Sequence, residues 1–249
     1  VRFNGIDYPA MELPWYYLPK LMSMQLTLPV VILSLTGIGL AIFRVVKDRT
    51  VRPNFLVILP WFLLPLLLVV LITPTMYDNF RQFLFILPPL FIFAGLAVEK
   101  IRGFIPNPRI KSALAIAVLM PGIIAGAWLH PYEYVYYNGL VGWTGGIERN
   151  YENDYWGTSL CEAGKFLSAI AEPNAQIAFT NPQLPILFKE CAENNFEYLV
   201  ERADQSEISP DFSVILSRYD DDLDYFRSMK TIKTIERGET VFLVIKKSE

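Results

Sequence analysis

His130 stands three residues before Glu133, the one place in 249 residues where an imidazole and a carboxylate are close neighbours in sequence. Such a pair can pass protons. A lone histidine at the edge of an apolar run is expected instead as an interfacial polar residue. Cys161 and Cys191 are too few for a multi-cysteine metal site or a disulfide-stapled fold. They are expected on helices as small apolar core residues, with a disulfide the alternative in an oxidising compartment. Asp220, Asp221, Asp222 and Asp224 have the composition of a cation site but lack the spacing of a calcium loop. A solvated acidic face is the expectation. Glu148, Glu152 and Asp154 alternate with Tyr151, Tyr155 and Trp156, a mixture that can hold a sugar by stacking and hydrogen bonding. A loop docked on the membrane part explains them equally and is the expectation.

Arg81 says more. It opens the apolar run of YDNFRQFLF, where a cation is costly unless paired. Lys20 has a similar place before another apolar run. Cations at the rim of a helix bundle can bind a lipid phosphate through charge-assisted hydrogen bonds, or snorkel to headgroups. No P-loop, dinucleotide fingerprint, nucleophile elbow or zincin motif occurs. No metal and no cofactor is expected.

The elements that must position these residues are written in the composition. Hydrophobic residues make up 53% and charged residues 19%, against roughly 45–50% and about 25% in soluble domains; mean hydropathy is +0.31. Four runs approach the ~20 apolar residues that cross a bilayer, at 22–43, 55–73, 82–98 and 112–129. None carries a charge or a polar face of helical period. Pro29, Pro60, Pro65, Pro88, Pro89 and Pro121 fall inside them and predict kinked helices packed in a bundle. Gly122 and Gly126 form a GxxxG pair suited to close helix contact.

Arg44, Lys47, Arg49 and Arg52 follow the first run, and Lys100, Arg102, Arg109 and Lys111 lie between the third and fourth. Positive-inside bias puts both loops in the cytoplasm. The fold class is therefore a membrane α-helical bundle of four transmembrane helices followed by a small extracytoplasmic α/β domain. An outer loop segment covers 1–21, the bundle 22–129 and the outer domain 130–249. Localisation is integral to the plasma membrane. Tyrosines in HPYEYVYYN suit the outer interface.

Residues 1–129 hold 11 Lys and Arg against 5 Asp and Glu; residues 130–249 hold 11 against 20. An acidic outer domain excludes nucleic acid as a partner. In it, Ser159 and Glu162 match a capping box opening a helix to about Ala171. Asn181-Pro182 reads as a cap and first residue of a helix to about Glu193. Strands are expected at 176–180, 196–200 and 212–217, with a hairpin of 231–236 and 240–246 around Arg237-Gly238. The chain starts at Val1 without an initiator methionine, which predicts a processed product or a piece of a longer chain.

ELPWYYLPKLMSMQLTLPVV, from Glu12, resembles the outer loop leading into a late transmembrane helix of polytopic glycosyltransferases. The aromatic–Arg–aromatic and LPxxP pattern of YDNFRQFLFILPPLFIFAGLAVE, and HPYEYVYYNGLVG followed by YENDYWGTSLCEAGKFL, resemble the same family. This is the GT-C superfamily, in the branch of dolichyl-phosphate-mannose–protein mannosyltransferases and the bacterial family 39-like enzymes. The resemblance covers nearly the whole chain as the C-terminal part of such an enzyme. It implies transfer of a sugar from a polyprenyl- or dolichyl-phosphate carrier to an acceptor at the outer face, by an inverting mechanism with little or no need of metal. It implies a catalytic carboxylate upstream of Val1, so no catalytic residue is carried over. It gives Arg81 to the carrier phosphate, to which the place of Lys20 before the first run adds a second cation, and Tyr16 and Tyr17 to carrier or acceptor contact. The implied partners are the lipid bilayer, the polyprenyl-phosphate-linked sugar and the N-terminal half of the enzyme. The alternative is a non-enzymatic, membrane-anchored binding or scaffolding module.

Overall fold

A computed structural model describes residues 1–47, 52–200 and 209–248. They form two units, residues 8–143 and residues 2–7 with 144–249. The boundary at 143/144 lies beyond the 129/130 read from the sequence, because the tyrosine-rich segment after the fourth span packs with the helices.

The first unit holds α1 (Tyr17–Gln25), α2 (Leu28–Lys47), α3 (Arg52–Ile72), α4 (Leu87–Gly103) and α5 (Pro108–Leu129). A 3₁₀ turn, Arg81–Ile86, leads into α4. Four of these helices are long and apolar enough to cross a membrane. Their side chains face outward to an extent water would not tolerate: Leu71 is 77% exposed and Leu67 54%. Such surfaces suit a bilayer.

Three expectations about the spans change. The first run is broken, since Leu26 is extended and α2 starts at Leu28. Pro29 therefore sits in the first turn of α2, and Pro88 and Pro89 in the first turn of α4, where proline costs nothing because its N–H would be unpaired anyway. Only Pro60, Pro65 and Pro121 lie inside helices. Of the basic residues after the first run, Arg44 and Lys47 end α2; residues 48–51, including Arg49, lie outside the described residues.

The tight helix contact is not at Gly122 and Gly126. A Cβ on Gly126 would meet nothing, and one on Gly122 only the Thr27 methyl at 3.6 Å. Instead α2 and α4 run side by side. Ser34 Oγ donates to the Leu90 carbonyl at 3.2 Å, and a Cβ on Gly37 would fall 1.7 Å from the Phe93 carbonyl oxygen. Small residues let membrane helices meet backbone to backbone, and Ser34, Gly37 and Ala41 line that seam.

The second unit contains β1 (Arg2–Phe3), β2 (Ile6–Asp7), a short α6 (Trp143–Ile147) reaching in from the boundary, α7 (Ser159–Ile170), β3 (Gln176–Phe179), α8 (Leu184–Cys191), β4 (Glu197–Val200), β5 (Phe212–Leu216), α9 (Asp221–Asp224), β6 (Lys230–Arg237) and β7 (Thr240–Lys247). The main sheet is ordered β4-β3-β5-β7-β6. β3 pairs in parallel with β4 and β5, while β7 pairs antiparallel with β5 and β6. The buried alternation is weak in the central strands, as expected where both faces are covered. Gly238, at φ +61°, begins the two-residue turn between β6 and β7.

Local caps differ from the sequence reading. Asp154 accepts from the Thr158 and Ser159 amides at 2.8 and 2.9 Å, so α7 is capped from outside and Glu162 pairs with Arg237 instead. Asn181 Oδ1 accepts from the Gln183 amide at 2.9 Å, a turn that delays α8 to Leu184.

Cys161 and Cys191 are not separate core residues. They join α7 to α8 in a disulfide spanning 30 residues. Closing a loop of that size is worth about 3–4 kcal/mol. Cys161→Ala with Cys191→Ala is expected to lower stability by that amount, read from denaturant unfolding of the full chain with and without reductant. An unchanged midpoint would remove the bond from the stability of this unit.

Candidate functional site

One end of the helical unit gathers the residues that the sequence singled out. The segment before α1, the loop 73–80 and the segment 130–138 meet there. The Met76 amide donates to the Ala10 carbonyl at 3.1 Å, and Tyr137 Oη donates to Asn79 Oδ1 at 3.1 Å. Asn138, 1% exposed, ties the break between α1 and α2. Its amide nitrogen donates to the carbonyls of Ser23 and Leu26, both at 2.7 Å, and its backbone N–H donates to the Met24 carbonyl at 2.7 Å. A helix end leaves carbonyls unpaired, and this one side chain closes two of them. Nothing in the sequence pattern marked it. Asn138→Ala leaves two buried acceptors open and is expected to cost about 2–4 kcal/mol, checked by thermal unfolding in detergent. A loss below 0.5 kcal/mol, roughly the scatter of neutral substitutions, would contradict that role.

Beside this break lies a cleft of about 290 Å³, walled by Val30, Phe91, Ala125 and Leu129 and reaching Glu133 and Tyr136. Gly122 and Gly126 line it; their missing side chains leave room here rather than a helix seam. Gln25 Nε2 and Thr27 Oγ1 are buried and make no hydrogen bond. Both residues line the cleft, and a buried polar atom without a partner is costly to a protein. A second cavity of about 240 Å³, walled by Met22, Leu35, Phe62, Leu66 and Leu90, is almost wholly apolar.

Arg81, Lys20, Tyr16 and Tyr17 each have a place at this end. Arg81 pairs with Asp78 at 2.9 Å and lies 5.0 Å over the Tyr77 ring; its side chain is still 37% exposed. It is therefore an anchored cation with donors left over, since a guanidinium carries five N–H groups. Lys20 lies on α1 and is half-buried, with its carbonyl held by Ser23 Oγ at 2.6 Å. Tyr16 is exposed and packs edge-on to Trp15. Tyr17 is 1% exposed, which makes it a core residue of this end. As folded here it has no surface for a ligand.

His130 Nδ1 and Glu133 Oε1 are 2.7 Å apart. The imidazole hydrogen bond holds the Glu133 carboxyl below its usual range. Both side chains are at least half exposed, as an interfacial pair would be. Burial pushes the Tyr136 hydroxyl up.

The acidic run is a solvated face only at Asp224, whose side chain is 62% exposed. Arg149 donates to Asp220 at 2.7 Å and to both oxygens of Asp222 at 2.8 and 2.7 Å, and Arg2 reaches Asp220 at 2.7 Å. Asp222 is buried. Glu148, Glu152 and Asp154 have partners within the α/β unit. Glu148 accepts from the Val241 amide at 2.9 Å, Glu152 pairs with Arg218 at 2.5 Å, and Asp154 caps α7. All three are held inside the α/β unit.

Comparison with models of protein families, with curated proteins and with solved structures finds no match for this chain.

Proposed function

We propose that this chain forms the carrier-binding bundle and outer domain of an integral-membrane glycosyltransferase, one that moves a sugar from a polyprenyl- or dolichyl-phosphate carrier to an acceptor at the outer membrane face. The observation that carries the reading is the apolar cleft at the same end of the bundle as the anchored Arg81. A lipid-linked sugar needs that combination: apolar walls for the prenyl chain and a cation for the phosphate. The residue-level resemblance to the GT-C superfamily supports the same assignment.

Orientation follows from charge. The opposite end of the bundle carries Arg44, Lys47, Lys100, Arg102, Arg109 and Lys111, the cytoplasmic signature. The cleft and the α/β unit then face outward, and a disulfide in that unit suits an oxidising compartment. The catalytic carboxylate belongs to the partner half of the enzyme. This chain's part is to hold the carrier and to present the outer unit.

Arg81→Ala is expected to weaken binding of undecaprenyl phosphate by about tenfold or more, the worth of a hydrogen bond to a charged group. The measurement is a titration of the full chain in nanodiscs. Equal affinity in both proteins would take Arg81 out of the site. No preference for the prenyl phosphate over a phosphatidylglycerol control would favour the second reading, a membrane-anchored binding module, which the separately cored α/β unit would serve without any carrier.

A further inference from the structure

The α/β unit has a crevice of its own. In its sheet β3 lies between β4 and β5 and runs parallel to both. The chain leaves β3 through α8 to β4 on one side, and β5 lies on the other. Open sheets bind ligands outside the carboxyl ends of their strands where connections part in this way. A cavity of about 190 Å³ sits at that point, between Thr180 and Asn181 after β3 and Leu216, Arg218 and Tyr219 at the end of β5.

Its walls are of three kinds. Trp156, 54% exposed, offers an aromatic face and is braced edge-on by Tyr155, with centroids 5.8 Å apart. Leu184, Leu187 and Leu216 supply an apolar floor. Gly157 keeps that floor open at φ +67°, where a Cβ would lie 2.9 Å from Leu160 and 3.4 Å from Leu187. Polar groups of both senses ring the edge. Asn181 has its oxygen taken by the Gln183 amide, which leaves its NH₂ as donor. Gln183 is exposed and offers both senses. Asp221 accepts from Thr180 Oγ1 at 3.3 Å and has a second oxygen to accept with.

The charge count selects the ligand class. Arg218 is already neutralised by the buried Glu152 and lies 5.2 Å over the Tyr219 ring. Asp221 also lines the crevice and adds a second carboxylate, so its net charge is negative and an anion is disfavoured. At ~30 Å³ per water the volume equals roughly six waters, which suits one ring and no more. A flat apolar face, an aromatic platform and mixed donors and acceptors match a molecule with C–H groups on its faces and hydroxyls on its rim.

We infer that the crevice at the carboxyl ends of β3 and β5 binds one uncharged sugar ring, stacked on Trp156 and hydrogen-bonded by Asn181, Gln183 and Asp221. This site is separate from the cleft among the helices. It stands whether the chain is part of a transferase or a binding module.

The test uses the full chain in nanodiscs and saturation-transfer NMR with three probes: methyl α-mannopyranoside, methyl β-glucopyranoside and glucose 1-phosphate. At least one of the two neutral glycosides is expected to bind at millimolar concentration, with transfer strongest to ring C–H protons. Trp156→Ala should weaken it by about fivefold or more, as loss of an aromatic contact does, while Trp156→Phe recovers part of the affinity. Gln183→Ala, an exposed position, should weaken binding without changing the melting temperature. Binding unaffected by Trp156→Ala, binding of the phosphate sugar alone, or no binding of any probe would each overturn the inference. None of these outcomes touches the prenyl-phosphate titration, so the two readings fail separately.

Discussion

Gly37→Ala is expected to prevent the helical unit from assembling. One methyl group is added, but it falls 1.7 Å from the Phe93 carbonyl oxygen and 2.3 Å from its carbonyl carbon. Those atoms are backbone in the middle of α4, so no rotamer change relieves the overlap. The helices must part, and the Ser34–Leu90 hydrogen bond goes with them. Overpacking usually costs about 1–3 kcal/mol; a backbone obstacle puts this case at or above about 3 kcal/mol. Gly39 and Gly95 are the controls, since a Cβ on either meets nothing within 4 Å. Gly39→Ala and Gly95→Ala should leave size-exclusion profiles and melting in detergent unchanged. A normally folded Gly37→Ala protein would refute the backbone contact between α2 and α4.

Arg149→Ala is expected to unlock the α/β unit by about 3 kcal/mol, the lower end of the range for breaking a buried ion pair because Arg149 retains some solvent. Its loss strands the Asp222 carboxylate, whose side chain is 6% exposed. Paired replacement Arg149→Met with Asp222→Leu should restore most of the loss, since it removes both charges. The clamp also sets the acid response. Burial pushes Asp220 up, but its hydrogen bonds from Arg149 and Arg2 outweigh this, and its pKa ends below the usual carboxylate value. A folded pKa below the unfolded one means stabilisation that is complete above about pH 4 and is lost as pH falls through the folded value. Wild-type protein should hold its near-UV signal to lower pH than Arg149→Ala does. Coincident acid transitions would show that the clamp does not govern this unit.

The bundle was legible because four uncharged apolar runs leave little choice of environment, and that signal survives any error in helix ends. What stayed hidden depends on distant partners. The stop at Leu26 is set by Asn138, 112 residues along the chain. Asp220 and Asp222 read as a solvated run because their partners, Arg2 and Arg149, carry no local signature. The cysteine pair reads as separate core residues in the sequence, and only α7 and α8 lying side by side brings the two sulfurs into a bond. Gly37 was passed over for Gly122 and Gly126 because a spacing motif reports small residues, and only packing reports which of them another backbone meets.

Of the candidate site, Arg81 is singled out in the sequence by the cost of a cation beside lipid. Gln25 and Thr27 are not, because ordinary polar residues become informative only once buried without partners. Tyr17 goes the other way: read as a surface contact, it is buried in the core of this end.

The short hairpin of β1 and β2 has a practical consequence for anyone wishing to study the α/β unit in water. Phe3 is fully buried and packs edge-on to Tyr151 at 5.8 Å, Tyr151 Oη donates to Asn4 at 2.6 Å, and the Gly5 amide donates to the Asn150 carbonyl at 2.9 Å. The chain thus contributes to this unit from two places more than 130 positions apart. A soluble piece cut at residue 144 would leave an empty aromatic seat and a half-neutralised aspartate pair, and would be prone to clumping through the bared surface. Grafting residues 2–7 onto its front end by a glycine-rich tether, or supplying them as a synthetic peptide, is the route to a piece that stays monomeric.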